Sequence, residues 1–474
     1  MSILIVLNGI FMTFCLPFSW HFGGQDFRAL LGSSLIAISS GAVMWLLTRK
    51  SINTELSKRE GYLVVTIGWV VMSLIGTLPY MLSGEILNFT DAFFETLSGF
   101  STTGATILED IESVDKGVLL WRSMSQWIGG MGIIVLTVAI LPILGIGGMQ
   151  LFVAEAPGIT PDKFQPRIKE TAKRLWIIYI GFTGLELIFL MMGGLTFFDA
   201  LNHSLTTMAT GGFSTKNTSI AHYDSPYVDF IIMIFMFLAG TNFTMLYFGL
   251  HGKLKKVFKN QEFRSYGISC LAISAFCALG IWLNGDENLT DSFRYGFFQV
   301  ISVITTTGFI TQDYTAWTPL LTMLFFFLMF VGASAGSTSG GIKIIRHLIL
   351  VKNSFLEFNR QIHPSAVLPL RLNGKGVNGE VTFQILAFVM LYLTIFALGS
   401  LAIALLGVDL VTAMGAAATC LGNVGPGIGS VGPIANFAYM PTIGKWILAL
   451  LMLLGRLELF TVLILFTPFF WRKT

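Results

Sequence analysis

Charge is what this sequence has least of. Asp, Glu, Lys and Arg make up 12% of its 474 residues, against about 25% in a soluble domain. With 54% hydrophobic residues and a mean hydropathy of +0.74, so few charges cannot cover a water-facing surface. Cytosolic enzymes, nucleic-acid binders and secreted scaffolds are excluded, which leaves a polytopic membrane protein. The net charge of +3 is too small to call for an anionic partner. Cysteine is scarce: Cys15, Cys270, Cys277 and Cys420 all lie in apolar stretches, which argues against a disulfide framework or a metal site. The six histidines are scattered, and neither His-Glu-x-x-His nor the phosphate-cradling Gly-x4-Gly-Lys-Ser/Thr occurs. The chain shows no means of hydrolysing ATP, and no cofactor is expected. Gly427-Ile428-Gly429-Ser430-Val431-Gly432 matches the dinucleotide fingerprint only as a string, since no strand precedes it.

What the chain has instead is long apolar runs. Ten stretches approach the roughly 20 residues that a spanning helix needs: 3–20, 27–48, 61–83, 118–146, 175–198, 227–250, 266–284, 317–349, 381–406 and 443–470. The first lacks a basic leader and a small-residue cleavage site, so it reads as a retained span. Most of the 29 Lys and Arg fall in 49–60, 151–174, 251–265, 343–375 and 472–474. The positive-inside rule makes those five stretches, and with ten spans both termini, cytoplasmic. The opposite loops carry Glu109, Asp110, Glu112, Asp115, Asp224, Asp286, Glu287 and Asp313. These either concentrate cations at a mouth or are merely solvated. The basic stretches are explained by topology and lipid headgroups, or by docking of a regulatory subunit.

Four further apolar segments, 91–103, 199–211, 291–307 and 409–424, are too short to span and lie between longer ones. At about 1.5 Å per residue a dozen helical residues cross roughly half of a 30 Å hydrocarbon core, so they read as re-entrant half-helices. Each ends on a small-residue window: Ser101-Thr102-Thr103-Gly104-Ala105, Ala209-Thr210-Gly211-Gly212-Phe213, Thr305-Thr306-Thr307-Gly308-Phe309 and Gly422-Asn423-Val424-Gly425-Pro426. Twelve residues before each glycine stands Ala92, Ala200, Gly296 or Ala413. Just before these, Asp91, Asp199 and Thr412 are the expected N-caps. The third copy has Tyr295 there and Thr290/Asp291 a turn earlier, so its half-helix is expected to start sooner. Isolated glycines could serve helix packing, but four aligned windows are an internal repeat.

The repeat points to an ion. Irregular backbone at membrane depth must be buried in protein or line a watery path. Four loops around an axis can aim carbonyl oxygens inward and replace the hydration shell of an alkali cation, and glycine supplies the dihedrals and the close approach. Half-helices running inward would point their negative ends at a cation. No Asp or Glu lies within the four windows, which favours carbonyl coordination of a monovalent ion.

At these windows the chain resembles the membrane subunit of the Trk/Ktr/HKT superfamily of potassium transporters, most closely the bacterial Trk type. The resemblance covers nearly the whole chain. It implies an all-α polytopic protein in which four tandem helix–pore loop–helix repeats stand in pseudo-fourfold arrangement after two N-terminal helices. On this sequence the N-terminal pair is 1–59 and the repeats are 60–150, 151–252, 253–352 and 353–474. One key glycine per repeat is implied, here Gly104, Gly212, Gly308 and Gly425, with the filter completed by Thr102, Thr103, Thr210, Gly211, Thr306, Thr307, Asn423 and Val424. In relatives that favour sodium the first glycine is often serine, so Gly104 implies potassium. The resemblance also implies a homodimer and a cytosolic nucleotide-binding ring.

Two more features match the family. The stretch 317–349 is interrupted by ten residues, 332–341, of which four are glycine and four are hydroxyl-bearing, and Lys343 follows. Interior glycines cost a helix about 1 kcal/mol each, so this part must unwind. The family's counterpart is an intramembrane gating loop, here 332–343 with Gly336, Ser337, Gly340, Gly341 and Lys343; a kink without gating is the plainer alternative. Arg456, central in the last apolar run, costs at least roughly 2.5 kcal/mol in a membrane. The resemblance places it beneath the filter as a barrier to leakage or a latch on the loop, while a structural ion pair between helices is the plainer reading. Glu458, two residues on, is not its obvious partner. Asn242 and Thr244 read as hydrogen-bonding groups between helices. Rival functions are a proton- or sodium-coupled symporter, another transporter with broken helices, and a membrane enzyme, for which no converging acids, histidines or cysteines are found.

Overall fold

The computed structural model describes residues 1–49, 58–132, 168–285, 287–366 and 368–472. Among them six helices are long and apolar enough to cross a membrane: Ser2–His21, Phe27–Thr48, Arg59–Ser83, Lys173–Met192, Gln261–Asn284 and Gly379–Ala404. The protein is an all-α polytopic membrane protein. After the two leading helices the element order recurs four times: a long helix, a buried half-helix, an irregular return and a second helix. The half-helices are Phe89–Phe100, Phe197–Met208, Leu289–Ile304 and Leu410–Gly422.

The half-helices hold the centre. Every residue from Ala92 to Phe100 is buried, as are Ala200, Gly296 and Ala413. The small residues are needed for close packing: a β-carbon on Gly296 would lie 2.9 Å from the backbone nitrogen of Ala278 on the preceding long helix.

The N-caps lie one turn earlier than Asp91, Asp199 and Thr412. They are Asn88, Thr196, Asn288 and Asp409, whose side chains accept from the N–H groups of Thr90, Asp199, Asp291 and Thr412. Asp91, Asp199 and Thr412 instead sit inside the first turn, where acids also favour the helix dipole. The N–H of Thr412 holds the Asp409 carboxyl below the usual carboxylate range, so that cap stays ionised. The third half-helix does start sooner, with 16 residues against 12, 12 and 13.

The second helices depart from the sequence expectation of single spans. The run 227–250 is two helices, Pro226–Ala239 and Phe243–Leu250, bent by 108°, and 443–470 breaks between Thr442–Arg456 and Phe460–Phe466 with a bend of 111°. Hydropathy cannot register such bends, because both arms are apolar. The first break is set by Asn242, which caps the second arm through Thr244 N–H (2.8 Å); at the second, Glu458 is left-handed (φ 54°). In the third repeat Pro319–Leu328 ends early and Ile344–Ile362 resumes after an irregular loop. The expected span 118–146 is helical over Lys116–Gly130, and its remainder from 133 lies outside the described residues, as do Asp286 and most of the basic stretch 151–174.

Candidate functional site

Each half-helix closes in the same way. One or two residues past its last helical residue the backbone turns left-handed, at Thr102 (φ 53°), Thr210 (53°), Thr306 (56°) and Asn423 (54°). The next N–H then reaches back into the last turn, from Thr103 to Ser98 O (2.9 Å), Gly211 to Thr206 O (2.9 Å), Thr307 to Ser302 O (2.8 Å) and Val424 to Thr419 O (3.0 Å). This is the Schellman closure, whose left-handed residue is ordinarily glycine. A β-branched residue there is an outlier that costs roughly 1–2 kcal/mol. Three threonines occupy it, and outliers of this kind cluster at functional sites. Thr102 Oγ1 and Asn423 Oδ1 at this level are buried without a hydrogen-bond partner.

Two residues on, the backbone is left-handed again at Gly104 (φ 82°), Gly212 (73°), Gly308 (80°) and Gly425 (101°). The four glycines form a closed circuit. A β-carbon on Gly104 would lie 2.2 Å from the carbonyl oxygen of Gly211, one on Gly212 1.9 Å from that of Thr307, one on Gly308 2.1 Å from that of Val424, and one on Gly425 2.6 Å from that of Thr103. Each repeat abuts the next in chain order, and the fourth returns to the first. No side chain fits at any of the four positions without moving backbone.

Side chains behind the ring hold its return strands. Nine residues before the glycines stand Glu95, His203, Gln299 and Ala416. Glu95 accepts from Thr106 Oγ1 (3.0 Å) and Ile107 N–H (2.9 Å). His203 Nε2 bonds Ser214 Oγ (2.9 Å), and Gln299 donates to Gln312 O (3.0 Å). In the fourth repeat Thr419 Oγ1 donates to Pro426 O (3.0 Å) instead. Arg122 joins the first two repeats: its Nε is 2.6 Å from Glu95, its Nη1 donates to Ser214 O (2.9 Å), and its guanidinium lies 3.5 Å from the centre of the Phe213 ring. Both partners of this ion pair are buried; removing one would leave an uncompensated charge, at a cost of about 3–5 kcal/mol. Asn423 Nδ2 joins the fourth repeat to the first through Thr103 Oγ1 (2.9 Å).

Two cavities flank the ring. One of about 150 Å³ is lined by the four glycines, the return strands, Arg122, Lys216 and Glu109. Of the loop acids Glu109 reaches it; Glu112 pairs with Lys216 (3.8 Å) and Asp110 accepts from Asn217 (3.0 Å). The other, about 210 Å³, is lined by Gly336, Ser337, Gly340, Gly341, Lys343 and Arg456, with Gly130, Leu175 and Phe243 among the rest.

The loop that lines the second cavity is closed at its base by a two-residue parallel pairing, Val331–Gly332 with Ile342–Lys343. Its tip touches the ring: Gly340 N–H donates to Thr306 Oγ1 (2.7 Å), and a β-carbon on Gly340 would lie 2.6 Å from Gly422 O. Thr338 Oγ1 donates to Met208 O (3.1 Å). Asn242 Nδ2 donates to Ala335 O (2.6 Å), and Glu262 accepts from Ala335 N–H (2.6 Å). Lys343 Nζ stays within the loop, on Ser339. Arg456 donates to Thr338 O (2.7 Å) and to the carbonyls of Gly129 and Gly130 (3.0 Å to the latter), so it ties the loop to the end of the first repeat's second helix. Glu458 pairs with Arg346, just past the loop.

All twelve residues expected at the filter thus sit together at the half-helix ends, and the six expected at the gate share one cavity beneath them. Sequence reasoning missed Glu95, Arg122, Gln126, His203 and Gln299. For Glu95, His203 and Gln299 the shared register nine residues before the glycines was the available signal, since their partners lie 11 to 13 residues on; Arg122 and Gln126 bond into the second repeat, 92 and 85 residues away, and carry no such signal.

The sequence profile of the TrkH family, described as cation transport protein, matches residues 28–267 and 270–473. The Trk system potassium uptake protein TrkH of Salmonella typhimurium is 43% identical over 451 residues, covering 94% of this chain and 92% of that protein. TrkG of Escherichia coli, also a Trk system potassium uptake protein, is 36% identical, covering 91% and 89%. The crystal structure of the potassium transporter TrkH from Vibrio parahaemolyticus superposes with a TM-score of 0.90 at 35% identity, covering 99% of this chain and 98% of that one. With the ring, the half-helices and the broken helices in the same chain, these similarities make it a member of the TrkH family of cation transport proteins.

Proposed function

We propose that this chain is a potassium-uptake pore of a bacterial inner membrane, with both termini cytoplasmic. Potassium ions lose water at the carbonyls preceding Gly104, Gly212, Gly308 and Gly425 and at the left-handed residues Thr102, Thr210, Thr306 and Asn423. The observation that carries the reading is the circuit of glycines against neighbouring carbonyls: carbonyls gathered around one axis can replace the hydration shell of an alkali cation. The half-helix ends add their negative dipole ends. The loop 332–343 is the gate and Arg456 its latch, a reading supported by the cavity that both line and by the bond from Gly340 N–H to Thr306 Oγ1 at a half-helix end. The driving force is the membrane potential, about 2.3 kcal/mol per charge per 100 mV. A homodimer and a cytosolic nucleotide-binding ring belong to this proposal through the family.

Flux of K⁺, Rb⁺, Na⁺ and Li⁺ into proteoliposomes under an imposed potential tests it. Potassium and rubidium flux well above sodium and lithium, following the potential alone, is the expected outcome. A requirement for a proton or sodium gradient would make the protein a symporter, and no cation flux would overturn the pore. Gly104→Ser, which sets a side chain against Gly211 O, should lower the K⁺/Na⁺ flux ratio; an unchanged ratio would count against the filter.

A further inference from the structure

The second repeat breaks the pattern of the ring. Between the left-handed residue and the key glycine the other repeats place Thr103, Thr307 and Val424, and this one places Gly211. Backbone conformation does not demand a glycine here, since Gly211 is not among the positive-φ residues. Space does. A β-carbon on Gly211 would lie 2.4 Å from Cδ, 2.5 Å from Oε1 and 2.7 Å from Nε2 of Gln126.

Gln126 comes from Lys116–Gly130, the second helix of the first repeat, and is fully buried. Its Nε2 donates to Gly211 O (2.6 Å) and its Oε1 accepts from Phe213 N–H (3.1 Å). The amide has one possible orientation, because a carbonyl can only accept and a backbone N–H can only donate. Gly211 O is also the ring carbonyl against which Gly104 packs.

We infer that Gln126 is a positioning residue that determines cation specificity, supplying from the first repeat the side chain that the second repeat's filter lacks. The inference rests on the filter reading above. The amide fills the volume that threonine or valine fills elsewhere and fixes the return strand at Phe213. It also competes with the ion for Gly211 O, so the four carbonyls are not equivalent: the second holds an ion less strongly than its counterparts in the first, third and fourth repeats. The glycine and the glutamine are therefore one unit, and moving the side chain back into the second repeat should replace the glutamine.

The test is the K⁺/Na⁺ flux ratio of reconstituted Gln126→Ala, Gly211→Thr and the double variant, each checked for assembly by size-exclusion chromatography. Gln126→Ala should lower the ratio about tenfold, the scale of one buried hydrogen bond. Gly211→Thr alone should also lose discrimination, because its side chain meets Gln126. The double variant should recover most of the ratio, a coupling that independent sites do not show. Gln126→Met, which fills the space without a donor or acceptor, replaces Gln126→Ala if that variant does not assemble, and should also lower the ratio. A wild-type ratio in Gln126→Ala or Gln126→Met, or in Gly211→Thr alone, would overturn the inference, as would a double variant no better than the worse single one. Gly104→Ser separates the two readings: if it changes the ratio and the Gln126 variants do not, the filter stands and this role falls. If neither changes it, the filter reading falls first.

Discussion

The ring and the loop beneath it are both rich in glycine, yet they are braced by different things. Each ring glycine meets the backbone carbonyl of the neighbouring repeat, at 1.9–2.6 Å from where its β-carbon would be. The loop is held by backbone bonds, Ser334 N–H to Gly240 O and Phe243 N–H to Gly336 O (both 3.0 Å), and in addition by side chains from other segments: Asn242 and Glu262 on Ala335, Thr306 on Gly340, Arg456 on Thr338. At Gly336 the nearest atom to an added β-carbon is the amide of Asn242, at 3.1 Å. Backbone packed on backbone has no rotamer to change. A side chain can change rotamer and release its partner. In the proposed function, selectivity falls to the first layer and movement to the one beneath.

Gly212→Ala should give the largest effect. The added carbon meets Thr307 O at 1.9 Å, closer than the 2.2 Å at Gly104, and the backbone there is left-handed at φ 73°, so the ring must open and the K⁺/Na⁺ flux ratio should fall further than in Gly104→Ser. A wild-type ratio in the assembled variant would show that the ring is not the selective layer. Removing residues 336–340 comes next. It deletes the contact with Thr306 and the anchor of Arg456, and K⁺ flux should rise while the K⁺/Na⁺ ratio holds. Unchanged flux would mean that the loop does not gate, and a fall in the ratio would mean that the loop supports the ring. Arg456→Gln is the mildest. A hydrogen bond from a charged group is worth about 1.5–3 kcal/mol, so the closed state should lose about ten- to a hundredfold in its equilibrium, read as increased K⁺ flux. Reduced flux would make the arginine a support of the path and not a latch.

How much of this was legible depended on the kind of signal. The four windows were readable because a glycine twelve residues after a small residue, repeated in register between paired spans, has few explanations. The half-helices were readable by length. Their caps were read one turn late, since Asp91 and Asp199 carry the same oxygen acceptor as Asn88 and Thr196, and only the backbone shows which side chain meets the free N–H groups. The bends at 240–242 and 457–459 were not legible, because an apolar run looks the same straight or folded through 108°. The interrupted stretch 332–341 was the exception, since there the composition itself opposes a helix.

By itself, then, the sequence determined the solvent the chain lives in, the fourfold repeat and the glycine register, because these follow from hydropathy, length and the backbone freedom of one residue type, all of them local. Only the tertiary structure decided which carbonyl each glycine meets, that Gln126 stands in for a side chain at Gly211, and that Arg456 ties the loop to the first repeat. Those contacts join segments that lie from 85 to 327 residues apart, and such contacts exist only once the four repeats have closed on one another.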